Sequence, residues 1–220
     1  MKDKKALKRR RFTSAVITVM AGKGNDIDVF QVHEDLLHKS DFFRVALNGR
    51  WKEGQERKIE LPEDDPDVAA AYIEWLYSNV VQLNIEGHAP EPGDEQYRLA
   101  KLYVFAEKIQ DRSFPNAVMA AWIAMIDTPD PDDGQHMYPS DECVETIYRG
   151  TTSGSPARRF LVYLYSNSTH GQKDWLEGSH QCLSETPEFL WDLALAKLPR
   201  FNHSHHSSLV AKRNLWMHKI

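Results

Sequence analysis

Apolar and polar positions alternate with two different periods along this chain. Ala15 to Ala21 (AVITVMA) is β-branched and apolar, and Asp28 to His33 (DVFQVH) alternates, so the first part predicts two strands. Gly22, Lys23, Gly24, Asn25 and Asp26 between them supply turn chemistry, and the three segments read as a hairpin. The Gly-Lys-Gly piece lacks the GxxxxGK[ST] spacing of a phosphate loop and is read as the turn alone. His33 to Lys39 and Asp41 to Leu47 predict two short helices, the second capped by Ser40 and ended by Asn48 and Gly49. Arg57 to Leu61 alternates again as a third strand.

From there the period becomes helical. After an acidic turn at Pro62 to Asp67, the segment Asp67–Ser78 places Val68, Tyr72, Trp75 and Leu76 on one stripe. Residues 84–95 read as an exposed loop. Gln96–Ile109 aligns Leu99, Leu102, Tyr103, Ala106 and Ile109, and a further helix runs from Asp111 or Ser113 to Ile126 with Pro115 in its first turn. Ser140–Arg149, Pro156–Ser166 and Pro187–Leu198 also read as helices. Ser140 is the cap of the first of these, and the chain frays from Asn202 onward. Three strands followed by helices predict an α+β fold with a small sheet covered by helices rather than a doubly wound one. The boundaries are a basic tail over 1–12, an α+β domain over 13–127, a helical extension over 135–200 and a polar tail over 201–220.

Composition narrows the function. The 220 residues are 41% hydrophobic and 27% charged, ordinary for a soluble globular chain. The net charge of -5 is uneven. Residues 1–11 hold seven of the 27 basic residues and one of the 32 acidic ones, which leaves the rest with 20 basic and 31 acidic. An acidic body is unsuited to a phosphate backbone, so nucleic acid is an unlikely partner for it. Lys8, Arg9, Arg10 and Arg11 read as a nuclear-import run, as a nucleic-acid contact or as a solvated, disordered tail. No apolar run approaches a membrane span, and no apolar segment follows the basic start as a secretory signal would require, so a nuclear or cytoplasmic location is expected.

The order of motifs resembles the BTB/POZ family. Phe30–Phe43 (FQVHEDLLHKSDFF) is similar to its signature of an aromatic, a His after the second strand, paired leucines and Ser-x-Phe-Phe. Ile59–Ser78, Leu99–Asp111 and Phe114–Ala121 follow in the family's order. The resemblance covers about residues 14–126, and the LPEDDP and LYVFAEKIQ forms look like fungal members. Cys143–Tyr165 resembles, less specifically, the helical extension of such proteins.

The resemblance implies a BTB/POZ fold and a non-enzymatic protein–protein interaction module that dimerises or bridges a cullin scaffold to a ubiquitylation target. Cullin-binding members carry a hydrophobic-x-Glu motif before the strand leading into the large helix, and Trp51-Lys52-Glu53 occupies that segment. Carried over, Trp51 fills an apolar cleft on the cullin and Glu53 makes the polar contact; otherwise Trp51 packs on its own domain or caps the sheet edge. The alternative function is a nuclear scaffold or transcription-associated regulator that self-associates through this domain. Where dimeric transcription-factor members place an Asp and a basic residue in a charged pocket, this chain has Ala15 and Glu34, which puts a pocket of that type in doubt.

Catalytic and metal chemistry finds no support in the spacing. Cys143 and Cys182 have no motif context, and Ser153 and Ser155 lack a nucleophile elbow. His203, His205 and His206 match no structural zinc pattern. Glu63–Asp67 and Asp130–Asp133 lack the alternating ligands and glycine of a calcium loop. His33 is expected to serve the fold at a strand end, with His38 on the surface. No cofactor, metal or small-molecule substrate is expected.

Overall fold

The computed structural model describes residues 14–83, 93–129, 134, 136–167, 185–197 and 216–217. The basic run Lys8–Arg11, most of the 84–95 loop, the Asp130–Asp133 cluster, Cys182 and the histidine tract lie outside those residues. The described part is a mixed α+β fold: a three-stranded sheet flanked by helices, then a further helical region.

Strands β1 (Val16–Lys23) and β2 (Asp26–His33) pair antiparallel, from Val16 opposite His33 to Lys23 opposite Asp26. The hairpin is tighter than the five-residue turn its composition suggests. Gly22 and Lys23 stay in the ladder, and the loop is Gly24 and Asn25 alone. Gly24 takes φ 67° at its first position, as tight hairpins require. Strand β3 (Lys58–Leu61) pairs parallel to β1 on its other side, giving the order β2-β1-β3. Alternation then sorts the side chains. Ile17, Val19, Ala21, Val32, Ile59 and Leu61 are buried, while Val16 and Val29 on the opposite face stay exposed.

The β2–β3 connection contains α1 (Glu34–Leu37), α2 (Asp41–Ala46) and α3 (Lys52–Glu56). Ser40 caps α2 as expected, its Oγ accepting from the Phe43 N–H at 3.2 Å and donating to the Ile109 carbonyl. Helix α3 has no signature in the hydrophobic pattern, because it buries none of its residues. The three longer helices α4 (Pro66–Ser78), α5 (Asp94–Lys108) and α6 (Phe114–Asp127) follow the periodicity closely. Asp65 caps α4 by accepting from the Asp67 N–H at 3.0 Å, and Lys101 reaches it at 2.7 Å. Partial burial pushes the Asp65 carboxyl up, but Lys101 and the Asp67 and Val68 N–H groups outweigh it and hold the group below its ordinary value.

Tyr72 is the centre of the first core. Its ring lies 5.0–6.2 Å from those of Phe43, Trp75, Phe105 and Phe114, joining α2, α4, α5 and α6. Its hydroxyl donates to Asp111 Oδ2 at 2.8 Å, and Asp111 Oδ1 accepts from the Ser113 and Phe114 N–H groups at 2.8 and 2.7 Å. One buried carboxylate thus caps α6 and satisfies a buried hydroxyl. Asp111→Ala is expected to cost about 2 kcal/mol, about half from the cap and half from the orphaned hydroxyl. The urea midpoint reads this, and Asp111→Asn, whose amide oxygen still caps, should recover about half.

Helices α7 (Asp141–Gly150), α8 (Pro156–Asn167) and α9 (Pro187–Lys197) add the second helical region. The α7 helix packs on α5 so closely that a Cβ on Gly150 would meet Val104 Cγ1 at 2.3 Å. Near the start of α5, buried Gln96 ties the segment that leads into α7, accepting from Trp122 Nε1 at 3.2 Å and donating to the Met137 carbonyl at 3.0 Å. One continuous set of buried apolar side chains runs from the sheet through α4–α6 into α7 and α8. Ser140 sits at the α7 cap position, but its side chain makes no capping bond and instead donates to Cys143 Sγ at 3.5 Å. Burial pushes the Cys143 thiol up, which suits a packed cysteine and not a nucleophile. Trp216, in the segment expected to fray, is instead buried against Phe160 and Tyr163 with ring centroids at 5.8 and 4.8 Å.

Arg158 joins α7, α8 and α9. Its side chain is only 7% exposed. It donates to the Tyr148 carbonyl at 2.5 Å, to the Thr151 carbonyl, and to Thr151 Oγ1 at 3.1 Å, and its guanidinium lies over the Tyr148 ring at 4.5 Å. A 2.5 Å contact to Glu188 completes the set. No described helix is long and apolar enough to cross a membrane.

Candidate functional site: an apolar groove between the short helices and the sheet edge

The crossover geometry leaves a groove of about 410 Å³ on the β3 side of the sheet. One wall is α2, the opposite one is the start of α3, and the floor is the edge of β3 with the C-terminal end of α5. The α2 wall follows from helix spacing. Phe43 and Leu47, four apart, point into the core, so Phe42 and Val45, three apart, point outward and are 40% and 52% exposed. The hydrophobic pattern marks all four as one apolar helix. The split between core and groove comes from the direction in which α2 is laid against α4, which the pattern does not carry.

Trp51 is the N-cap residue of α3 and is 58% exposed. Its side chain lies outside the core. It lines the groove together with Glu53, Phe42, Val45, Ala46 and Ile59. Trp51 and Glu53 of the Trp51-Lys52-Glu53 motif therefore face one concavity, across from the apolar wall supplied by α2.

The charges around the groove are mostly matched. Asp41 accepts from Arg44 at 2.8 Å and from Arg112 at 3.0 Å, and these two guanidinium groups hold its carboxyl below the usual range. Lys58 holds Glu60 in the same direction. Lys108 pairs with Asp64 at 2.6 Å. The Glu53 carboxylate makes no hydrogen bond or ion pair among the described residues and is available, its backbone carbonyl alone accepting from the Arg57 N–H at the end of α3. An exposed indole beside apolar side chains and one unmatched acid forms a surface suited to a protein partner carrying an apolar side chain next to a donor.

The remaining candidates fall into structural roles. His33 Nδ1 lies 2.8 Å from the Tyr77 hydroxyl, which also accepts from the His33 backbone N–H at 3.1 Å. The histidine serves the fold, with a tyrosine as its partner. Glu34 pairs with Arg57 at 2.6 Å and approaches His38 at 3.7 Å. The acids Asp64 and Asp65 are held by Lys108 and Lys101. Among the described residues no group of three or more His, Cys, Asp or Glu side chains is placed to hold a metal ion. No protein-family model matches the sequence, and no curated protein matches it at significant similarity.

Proposed function

We propose that this chain is a protein–protein interaction module of the BTB/POZ type that bridges a cullin-type ubiquitin-ligase scaffold to a target protein, with no chemistry of its own. The observation that carries the reading is the placement of Trp51 at 58% exposure in the same groove as the unmatched Glu53. An exposed tryptophan on a folded surface gives up its apolar contact with water when a partner covers it, which makes it a natural anchor. The sequence resemblance supplies the family, and the small sheet flanked by helices is compatible with it. The basic run Lys8–Arg11 would direct the module to the nucleus, and otherwise it acts in the cytoplasm.

Calorimetric titration of the full chain with a cullin N-terminal domain tests this. Binding at micromolar strength or tighter is expected. Trp51→Ala should weaken it about 30-fold, or about 2 kcal/mol, and Glu53→Ala about 10-fold, with melting temperatures unchanged because neither side chain packs in the core. Absence of binding by a folded wild-type chain would remove the cullin reading and leave the self-associating scaffold.

A further inference from the structure

The geometry points to Gly54 as the residue that positions the docking motif, an inference that rests on the groove being the binding surface. Helix α3 has five residues, too few to hold itself together, and Trp51 at its N-cap makes no side-chain capping bond. None of its residues is buried. What seats it is a backbone-on-backbone contact. A Cβ on Gly54 would lie 2.6 Å from the Gly49 nitrogen, 2.9 Å from the Gly49 Cα and 3.1 Å from the Leu47 carbonyl carbon. No flexible side chain is there to give way. Gly49 itself takes φ 74°, turning the chain so that its backbone meets α3.

Helix propensity alone favours Gly54→Ala, since alanine is a better helix residue than glycine. In this place a single methyl group lifts α3 from the end of α2. Trp51 and Glu53 lie three and one residues before Gly54 on that same short segment, so they move with it. Their spacing to Phe42 and Val45 across the groove is then lost, while the core beneath is untouched.

The test uses the full chain labelled with 5-fluorotryptophan. Its six tryptophans give separate fluorine resonances, and the one that disappears in Trp51→Phe is Trp51. In Gly54→Ala the Trp51 resonance is expected to shift or broaden while those of buried Trp75 and Trp122 stay in place. Affinity for the cullin N-terminal domain should fall at least 10-fold. Gly154→Ala is the matched control, because a Cβ there meets nothing within 4 Å, and it should change neither readout. An unmoved Trp51 resonance in Gly54→Ala overturns the inference, and so does global loss of the fold, which would make Gly54 a core residue. A moved Trp51 resonance in a protein whose wild type does not bind the cullin domain would sink the functional reading instead and leave the positioning role standing.

Discussion

Replacing Arg158 by methionine is expected to destabilise the protein by about 4 kcal/mol, and to lower its melting temperature by about 10 °C. The guanidinium satisfies the Tyr148 and Thr151 carbonyls at the C-terminal end of α7 while its plane covers the Tyr148 ring. Methionine fills similar volume, but it leaves those carbonyls without a donor in a place water cannot easily reach. The ion pair with Glu188 is a smaller part of this, since the Glu188 side chain is 70% exposed and its attraction is screened. Glu188→Gln should therefore cost less than about 0.5 kcal/mol. Arg158→Lys should recover only part of the loss, because an ammonium cannot reproduce a planar fork reaching four oxygens. Thermal melts of the three variants separate these contributions. Equal losses in Arg158→Met and Glu188→Gln would assign the stability to the ion pair.

Raising the pH above about 10 is expected to unfold the protein cooperatively, through tyrosines that cannot ionise where they are. Burial, the largest cause in each case, pushes Tyr72, Tyr103 and Tyr148 far above the ordinary tyrosine range, and neighbouring Asp111, Glu107 and Asp192 push in the same direction. The unfolded chain releases these protons near pH ~10, while the folded chain keeps them. Stability is therefore fully present below that pH and falls as pH rises, by about 1.4 kcal/mol per pH unit for each tyrosine and about 4 for the three together. Tyrosinate ultraviolet absorbance should lag in the folded protein and rise sharply at the unfolding transition. Tyr103→Phe should flatten the pH dependence by about a third. A stability that stays level between pH ~10 and ~11 would contradict the placement of these hydroxyls.

Both predictions depend on polar partners that the hydrophobic pattern does not single out. Arg158 reads as one of two arginines opening a helix, and Asp111 as one of two helix-start candidates. Their partners, Tyr148, Thr151 and Tyr72, are determined by how α7 meets α8 and how α4 meets α6. Tyr72 was legible as a core position because it lies on the stripe of Val68, Trp75 and Leu76. That its hydroxyl ends on Asp111, 39 positions away, was not. Trp51 and Glu53 were legible as a three-residue pattern. Their shared groove was not, because α3 leaves no periodic trace and its position depends on a glycine contact that no pattern records.

The order of elements was set locally: two strands closed by Gly24, the Ser40 cap, the third strand, and the long amphipathic helices α4 to α6. Backbone preference, capping and side-chain period act within a few residues and need no knowledge of what lies opposite. The tertiary structure alone decided which face of α2 became groove and which became core. It also decided that Trp51 points outward, that α7 and α8 share the core of α5 and α6, and that Trp216 returns to α8. The physical reason is that burial and polar satisfaction are properties of pairs of elements. A helix specifies its apolar stripe, and only its neighbour determines how much of that stripe is covered.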